Sequence, residues 1–582
     1  MEDKKVLLSV QDLVVKFNVR GRVLTAIRNI SLDVYENESI AIVGESGSGK
    51  SVFTKSFAGM LDDNGFIDNG DIVFDDEELA DTRVPLTDAA KSKIQEIARA
   101  LDASSKYEFG AEVYKEILTE EALDRARTGL SDEESGEIEE QIKDLHYQRT
   151  EAFNLKQTID PGKEKERLKE VSRNIKELDE QIKALKEQRE ETKKRHQKEA
   201  SEDTAYIAAH NQKMEDLKKR HSELCAQEIT AETKERNKIL AKEIWMSVSK
   251  AGFFKQGRQT KELLAAFEKA MKMGVNLSDE EECNAVFDTV TFRVKYLDET
   301  ANELHGNCIM NLAKLKTPKV WSQIRGKKIA TVFQDPMTSL NPIITIGKQI
   351  TSIIIKHQKC SEVEARTRAL ELMKKVGIPN AENRFDDYPF QYSGGMRQRI
   401  VIAIALSCQP KILICDEPTT ALDVTIQAQI LRLIKDLQKE FKYTIVFITH
   451  DLGVVANIAD RVAVLYAGQL VELGLVDEVF YDPRHPYTWA LLSSLPQLAQ
   501  RNTTLYSISG TPPSLYNKIV GDPFAPRNAY CLKVDTLKEP PMFKVTDTHY
   551  AKTWLLDPRA PKTNKPEAIE NIHEKLMAAF NI

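Results

Sequence analysis

Eight consecutive residues near the start of the chain have the spacing of a phosphate-binding loop. They fit the pattern G-x-x-x-x-G-K-[ST] and are Gly44, Glu45, Ser46, Gly47, Ser48, Gly49, Lys50 and Ser51. Glycines let successive backbone N–H groups turn toward one anion, and a helix that begins after the loop directs its positive end to the same point. We expect Lys50 to contact the β- and γ-phosphates of a nucleotide and the Ser51 hydroxyl to coordinate Mg²⁺. The loop by itself predicts nucleotide binding and no particular reaction.

Two adjacent acids, Asp416 and Glu417, follow the apolar run 412–415. An apolar run of this kind is typical of a buried strand, which would deliver both carboxylates to its end. Beside a phosphate loop, Asp416 is expected to hold Mg²⁺ through water. Glu417 is expected to act as general base for an attacking water, a role typically worth about 10²–10⁴-fold in rate. For an isolated Asp-Glu, a pair of solvated acids would be the favoured interpretation.

Three further predictions depend on the ordered set of motifs. Gln334 can ligate Mg²⁺ or the attacking water through its amide, and His450, which closes a later apolar run, can contact the γ-phosphate. Ser393, Gly394 and Gly395 come directly before a helical segment, which predicts a second phosphate site at a helix N-terminus. Taken alone, the glutamine would be a surface residue, the histidine structural, and the Ser-Gly-Gly string a simple helix cap.

The elements that must position these groups divide the chain into four parts. Strand patterns around the phosphate loop predict the first part of an α/β core over residues 1–84. A composition rich in Lys, Glu, Gln and Ala predicts a mainly helical, partly coiled-coil insert over 85–317. Buried parallel strands predict the second part of the core over 318–480. Proline and loop signals predict a small loop-rich extension over 481–582.

Within the insert, one apolar seam has the alternating three- and four-residue spacing of paired helices. Its members are Leu168, Val171, Ile175, Leu178, Ile182 and Leu185. A shorter seam lies upstream, and Asp160-Pro161-Gly162 separates the two, which predicts a helical hairpin. A confident coiled coil needs about three or four heptads. The seam is shorter than that, so it predicts helices but not a long rigid coiled coil.

Charge and cysteine usage argue against several classes of protein. The chain has 82 Lys and Arg against 89 Asp and Glu, and a net charge of −7 gives no indication of nucleic acid as a partner. Seven cysteines are scattered without a C-x-x-C pair, which suits a reducing cytosol. No apolar run approaches the roughly 18–20 residues that span a bilayer, and the first residues do not form a signal peptide. Any role at a membrane is therefore expected to come through partner proteins.

The order of these motifs resembles that of ATP-binding cassette (ABC) proteins. More closely, the chain resembles the ATP-binding subunits of oligopeptide/dipeptide ABC importers. The matching segments are 44–51, 324–342, 393–399, 416–425, 483–488 and 524–527. The resemblance covers about residues 5–84 and 318–560 and leaves out the insert.

The resemblance implies a RecA-like P-loop NTPase core with an α-helical subdomain at about 344–403. It implies Mg²⁺-dependent hydrolysis of ATP that powers peptide import, with the chain peripheral at the cytoplasmic face of the cell membrane. Phe17 lies where the family stacks an aromatic ring on adenine, and a phenylalanine of the strand core is the alternative.

The same resemblance implies a set of partners. Two cassettes sandwich ATP in this family, so the chain is expected to pair with a second ATPase subunit, a different chain. The segment around Ser393 would then serve the nucleotide of that partner. Two integral membrane permease subunits, touched by the segment 334–342, and indirectly an extracytoplasmic peptide-binding protein complete the expected assembly. Nucleic acid is not among the expected partners.

The chain departs from the family in two places. Family members often carry cysteines in the C-terminal extension that can hold an iron–sulfur cluster, and the matching positions here are Asp522, Asn528, Asp535 and Thr553. Cys531 alone cannot hold a cluster, so none is expected. The second departure is the insert, whose sequence leaves open whether it docks on a partner, docks on the membrane subunits or is a lineage-specific addition.

Three other functions fit part of the pattern. One is the same importer family with nickel or another small solute as cargo, because subunits outside this chain choose the cargo. Another is a soluble DNA-repair or chromosome-organising ATPase, in which a coiled coil also interrupts an ABC core. In that class, however, the coil follows the glutamine loop and carries a C-x-x-C hook. A translation-associated ABC ATPase carries two cassettes per chain, whereas this chain has a single phosphate loop.

Overall fold

The computed structural model describes residues 4–129, 132–158, 164–249, 253–315, 318–420, 422–494, 508–516, 519–566, 569–570 and 572. The chain divides into two compact units. The first unit consists of Met1–Val19, Val23–Asp75 and Asn311–Ile582, and the second of Arg20–Arg22 and Asp76–Met310. The predicted limits of the insert, 85 and 317, lie slightly further along the chain than the limits 76 and 310 of the second unit. The division into four parts stays a prediction.

The first unit begins with four strands and one helix. In chain order these are β1 (Val6–Val19), β2 (Arg22–Tyr35), β3 (Ser39–Val43), α1 (Lys50–Ala58) and β4 (Gly65–Phe74). β1 pairs antiparallel with β4 and lies between β4 and β2. Apolar residues alternate along β1 and β2, in agreement with the predicted strand patterns. The buried members of this alternation are Leu13, Val15, Ile30, Leu32 and Val34.

The second unit is mostly helical. Its elements are α2 (Glu77–Ala80), β5 (Asp81–Pro85), α3 (Asp88–Phe109), α4 (Ala111–Thr128), α5 (Asp132–Thr158), α6 (Lys165–Glu202), α7 (Thr204–Leu224), α8 (Ala231–Ser249), α9 (Phe253–Lys272), α10 (Glu280–Asp288), β6 (Val294–Glu299) and β7 (Glu303–Cys308). β7 lies between β5 and β6 in a three-stranded antiparallel sheet. One buried core of this unit includes the rings of Phe267 and Phe287, which meet edge to face at 5.2 Å.

The predicted seam brings α5 and α6 together. Leu168, Val171, Ile175 and Leu178 of α6 form one apolar cluster with Leu145 and Ala152 of α5. An ion pair between Arg149 and Asp179 also joins the two helices. The pairing of the helices is therefore confirmed, whereas the predicted turn at Asp160-Pro161-Gly162 lies outside the described residues.

The remaining elements belong to the second half of the chain. They are β8 (Met310–Asn311), α11 (Pro318–Ile324), β9 (Ile329–Val332), α12 (Pro336–Ser339), α13 (Ile346–Gln358), α14 (Glu362–Lys375), α15 (Ala381–Arg384), α16 (Gly394–Leu406), β10 (Ile412–Asp416), α17 (Val424–Phe441), β11 (Thr444–Thr449), α18 (Leu452–Ile458), β12 (Arg461–Tyr466), β13 (Gln469–Leu475), α19 (Val476–Tyr481), α20 (Pro486–Ser493), β14 (Phe543–Lys544) and β15 (Tyr550–Ala551). Helices α13 to α16 fall in or next to the predicted helical subdomain at about 344–403. Their buried side chains share one core with β9, β10 and β11.

An eight-stranded sheet forms the centre of the first unit, in the order β14-β15-β13-β12-β3-β11-β10-β9. The five strands from β12 to β9 run parallel, and the other three pair antiparallel. β11 is buried along its whole length and β10 is buried up to Asp416, which confirms the predicted buried parallel strands. Because the parallel strands all point the same way, the residues that follow them meet at one edge of the sheet.

Candidate nucleotide-binding and active site

The predicted chemical groups reach the carboxyl edge of the parallel strands from four different strands. The phosphate loop follows β3, and Gln334 follows β9. Asp416 is the last residue of β10, and His450 follows β11. These groups are far apart along the chain, and they come together because β9, β10, β11 and β3 are neighbours in the sheet.

The phosphate loop turns directly onto the N-terminus of α1. Gly49 has a φ of 100° and lies directly before the first residue of the helix. A Cβ at this position would lie 3.0 Å from the Ala26 carbonyl oxygen, so glycine is the residue that fits. The buried Lys50 Nζ donates to the carbonyl oxygens of Gly44 and Glu45 at 2.8 and 3.0 Å. An ammonium and the positive end of a helix thus lie together, which suits a phosphate group.

A cavity of about 550 Å³ opens beside this loop. Its loop and polar lining residues are Ser46, Gly47, Gly49, Lys50, Ser51, Asp62, Gln334, Asp416 and Glu417. Its apolar lining residues are Phe17, Val19, Leu24, Ala26, Val52 and Leu515. Most of the predicted site residues therefore share one cavity, while Gly44, Glu45 and Ser48 belong to the loop but are not among the described lining residues.

Phe17 occupies a place on the apolar wall that a glycine keeps open. It pairs with Gly65 across β1 and β4. A Cβ on Gly65 would approach the Phe17 ring to 2.5 Å, so any larger residue at position 65 would displace the ring. The side chain is half-buried and lines the cavity, unlike the phenylalanine of a strand core.

Glu417 is the centre of a hydrogen-bonded cluster. Its Oε2 accepts from Gln334 Nε2 at 3.0 Å and from Thr420 Oγ1 at 3.1 Å. Its Oε1 lies 3.2 Å from His450 Nδ1. The Glu417 backbone has a φ of 45°, a left-handed conformation that is uncommon outside glycine, and its N–H donates to the Ile448 carbonyl at 3.0 Å. Such outliers concentrate at functional sites.

Ser51 and Asp416 form a second polar contact in the cavity. The Ser51 hydroxyl donates to Asp416 Oδ1 at 3.1 Å. Burial raises the pKa of Asp416, and the neighbouring Glu417 carboxylate also raises it. Burial lowers the pKa of Lys50, against the attraction of Glu417, Asp416 and Glu45. Carboxylate and hydroxyl oxygens in this arrangement fit Mg²⁺, which prefers oxygen ligands.

The Ser-Gly-Gly segment does not join this cavity. Ser393 caps α16, and its Oγ accepts the Met396 N–H at 3.4 Å. Ser393 and Gly394 are exposed, and Gly395 is half-buried. Among the described residues that line the cavity, none comes from this segment.

Sequence reasoning missed contacts that the C-terminal extension makes with the loop. Arg527 forms a two-pronged ion pair with Glu45, with Nη1–Oε2 at 2.7 Å and Nη2–Oε1 at 3.1 Å. The Glu45 N–H donates to the Tyr487 hydroxyl at 2.8 Å. Leu515 lines the cavity, and Thr420, although part of a recognised motif, was not expected to bind Glu417. No local pattern in the sequence connects the extension to the loop. For Thr420, its place in the motif that contains Glu417 was a signal that could have predicted the contact.

The four positions that match cysteines of the family are buried and bound to the backbone. Side-chain oxygens of Asp522, Asn528, Asp535 and Thr553 each accept a backbone N–H at 2.9, 2.9, 2.6 and 3.3 Å, respectively. Carboxylate, amide and hydroxyl groups are not the thiolates of an iron–sulfur cluster, so these residues do not fit one. That no cluster is bound stays a prediction.

A parallel sheet with a phosphate loop, a strand-end acid pair and a histidine after the next strand defines a P-loop nucleotide-binding protein of the ATPase cassette class. Residues 27–268 and 294–420 match the family described as ABC transporter, and residues 471–533 match the oligopeptide/dipeptide transporter C-terminal region. The chain belongs to the ABC transporter family and is an ATP-hydrolysing transporter subunit. The family resemblance, the fold class and the enzyme class predicted from the sequence are thus confirmed.

Three curated relatives have similar sequences. The oligopeptide transport ATP-binding protein AmiE of Streptococcus pneumoniae is 64% identical over 266 residues, which cover 46% of this chain and 75% of that protein. OppD of Bacillus subtilis, another oligopeptide transport ATP-binding protein, is 60% identical over 45% of this chain and 74% of its own length. The dipeptide transport ATP-binding protein DppD of Lactococcus lactis is 58% identical over 44% of this chain and 74% of its own length.

None of the helices in the described ranges combines the length and the apolar character that crossing a bilayer requires. ATP-binding subunits of ABC transporters associate with membrane-embedded partners, and the family membership extends that general arrangement to this chain.

Proposed function

We propose that this chain hydrolyses Mg²⁺-bound ATP to power the import of oligopeptides or dipeptides, as one half of a cassette dimer at the cytoplasmic face of the cell membrane. The observation that carries the chemistry is the convergence of Lys50, Ser51, Asp416 and Glu417 on one cavity. The cargo class is supported by the C-terminal region at 471–533 and by the names of the relatives, which specify oligopeptide and dipeptide transport rather than nickel.

The phosphate loop holds the triphosphate in this proposal. Lys50 donates to two loop carbonyls, which positions its ammonium over the loop. It turns from these carbonyls to the β- and γ-phosphates when ATP enters. The apolar wall that contains Phe17 receives the adenine ring, and the N-terminal amides of α1 face the phosphates.

Oxygen atoms in the same cavity would hold Mg²⁺. Ser51 would supply its hydroxyl and Asp416 would bind through water, while Gln334 would use its amide oxygen, because its Nε2 donates to Glu417. The ion, when bound, offsets the negative charge of the phosphates.

Glu417 is the general base. A water attacks the γ-phosphorus, the Glu417 carboxylate takes its proton, and ADP leaves as the bond to its β-phosphate oxygen breaks. Gln334, Thr420 and His450 hold the carboxylate by three contacts of 3.0–3.2 Å, so its orientation is set before the substrate arrives. His450 lies beside the base, which supports the predicted contact of its imidazole with the γ-phosphate.

A second cassette completes the site. Ser393 and Gly394 are exposed and lie at the start of α16, and none of the Ser-Gly-Gly residues is among the described lining residues of the cavity. This separation supports a role for the segment at the nucleotide of a partner ATPase subunit. Two permease subunits, with the segment 334–342 against them, and an extracytoplasmic peptide-binding protein complete the proposed importer.

The composition of the native complex tests the importer assignment. The chain is isolated from its native membranes by an affinity tag, and the ATPase activity is measured with and without peptide. We expect two polytopic membrane proteins, a second cassette and ATP hydrolysis that peptide stimulates. A complex without membrane subunits whose ATPase responds to DNA would contradict the proposal and favour the DNA-repair class.

The Glu417→Gln variant tests the general base within that complex. We expect it to retain ATP binding and to hydrolyse ATP about 10²-fold more slowly or worse, because the amide cannot take a proton. Glu440→Gln is the matched control, since Glu440 pairs with Lys375 at the surface. Wild-type turnover in Glu417→Gln would refute the assignment of the base, whereas the importer assignment would stand.

A further inference from the structure

One arginine of the C-terminal extension contacts two different segments near the cavity. The Arg527 guanidinium pairs with the Glu45 carboxylate at 2.7 and 3.1 Å. On the same side chain, Nε donates to the Ser509 carbonyl at 2.9 Å and Nη2 to the Ile508 carbonyl at 3.4 Å. The planar guanidinium can make these contacts together because its five N–H groups form a fixed fork.

Two tyrosines hydrogen-bond to the two partners of this ion pair. The Tyr466 hydroxyl accepts from Arg527 Nη1 at 3.1 Å, and the Tyr487 hydroxyl accepts the Glu45 N–H at 2.8 Å. The Arg527 side chain is only 5% exposed, and both tyrosines are buried. A partly buried, two-pronged pair is held more firmly than a fully exposed ion pair. The second residue of the phosphate loop is therefore fixed through both its carboxylate and its backbone.

The segment 508–516, which Arg527 holds at its start, reaches the cavity at its end. The Thr25 N–H donates to the Leu515 carbonyl at 3.2 Å, which attaches the segment to β2. The Leu515 side chain lines the cavity together with Phe17 and other apolar residues of β1 and β2. Two elements far apart in sequence thus build one apolar wall.

We propose that Leu515 contacts the base of the bound nucleotide and that Arg527 is a positioning residue, which fixes the phosphate loop and the segment 508–516 relative to each other. The C-terminal extension is thereby part of the nucleotide site. The inference rests on the proposed function, because it requires ATP in this cavity. An apolar side chain against the base adds affinity for a nucleotide and none for a bare phosphate chain.

The test compares the binding of Mg²⁺-ATP with that of Mg²⁺-tripolyphosphate to the purified full-length chain. We expect Leu515→Ala to weaken ATP binding about fivefold to tenfold, roughly the loss of one apolar contact, and to leave tripolyphosphate binding unchanged. Leu537→Ala is the matched control, because Leu537 is an exposed leucine of the same extension. It should bind both ligands as the wild type does.

Arg527→Ala is expected to weaken the binding of both ligands, because it releases the loop and the segment together. Arg527→Lys is expected to restore little, since an ammonium has the charge but not the fork. Arg559→Ala is the control, because Arg559 pairs with Asp557 at an exposed position of the extension. If Arg527→Ala does not fold, Glu45→Gln breaks the same ion pair from the loop side and should weaken both ligands.

The outcomes separate this inference from the proposed function. Wild-type affinity for ATP in Leu515→Ala would overturn the base contact, and equal losses for ATP and tripolyphosphate would overturn it as well. Full recovery by Arg527→Lys, or unchanged binding in both Arg527→Ala and Glu45→Gln, would overturn the positioning role. If the wild-type chain binds no Mg²⁺-ATP, the proposed function itself fails.

Discussion

Two acidic side chains of the first unit, the proposed general base Glu417 and the buried Asp522, have different surroundings. Glu417 meets three side-chain partners beside an open cavity. Asp522 is buried and accepts one backbone N–H through Oδ1, while its Oδ2 has no hydrogen-bond partner among the described residues. Burial raises the pKa of Asp522 to about 7, and the Asp535 carboxylate contributes to the increase. The ionisation of Asp522 therefore affects the stability of the fold rather than the proposed hydrolysis of ATP.

The Asp522 carboxyl predicts a pH dependence of folding. Its pKa in the folded chain lies above the ordinary value of 3.8, so the folded state keeps a proton that the unfolded state releases. This contribution to stability is therefore complete below about pH 4 and is lost as the pH rises through about 7. The Asp522→Asn variant keeps the acceptor oxygen and cannot ionise. We expect the difference in unfolding free energy between this variant and the wild type to grow in favour of the variant, by on the order of 2–4 kcal/mol, as the pH rises from about 4.5 to about 7.5.

The measurement is the free energy of unfolding of both chains at the two pH values. Asp557→Asn is the control, because Arg559 lowers the pKa of Asp557 to about 2, below the measured range. This variant should show the pH dependence of the wild type. An identical pH dependence in Asp522→Asn would contradict the prediction.

At the scale of elements, the sequence predicts what local patterns encode. The phosphate loop, the buried strands β3, β10 and β11 and the pairing of α5 with α6 all have a signature within a few dozen residues. The ion pair between Glu45 and Arg527 joins positions 482 residues apart, and no periodicity or motif spacing encodes such a contact. The sequence does not predict the apolar wall formed by Phe17 and Leu515 for the same reason, because this wall exists only after β1, β2 and the segment 508–516 have assembled.

The pairing of β1 with β4 makes a prediction about Gly65. Since a Cβ would lie 2.5 Å from the Phe17 ring, Gly65→Ala must displace the ring from the cavity wall. We expect Mg²⁺-ATP binding to weaken by about fivefold or more, on the scale of one aromatic contact. Gly257→Ala is the matched control, because Gly257 lies exposed in α9 with open space around it. That change should leave binding unchanged and stabilise α9 by up to about 1 kcal/mol. Unchanged nucleotide affinity in Gly65→Ala would mean that the ring does not touch the base.

At the scale of the whole molecule, the first unit closes on itself where the second unit interrupts it. β4 ends at Phe74, and the chain of the first unit resumes at Asn311. The Asn311 side chain accepts the Ile72 N–H at 3.1 Å and donates to Asp71 at 2.7 Å. Lys314 also pairs with Asp71, at 2.6 Å. The two ends of the interruption are therefore held together by contacts that belong to the first unit alone.

This closure predicts that the nucleotide site does not need the second unit. A chain in which a linker of a few glycines and serines replaces residues 76–310 should fold, because closing a short loop costs less entropy than closing a long one. We expect it to bind Mg²⁺-ATP with the affinity of the full chain, measured side by side by equilibrium titration. Asn311→Ala in the shortened chain removes the contacts with Ile72 and Asp71 and should lower the unfolding midpoint of that chain. Asn302→Ala in the full chain touches neither contact and should leave the unfolding midpoint of the full chain unchanged. A shortened chain that folds but fails to bind ATP would show that residues 76–310 contribute to the site. Retained binding together with loss of the membrane partners would instead assign the second unit to assembly of the transporter.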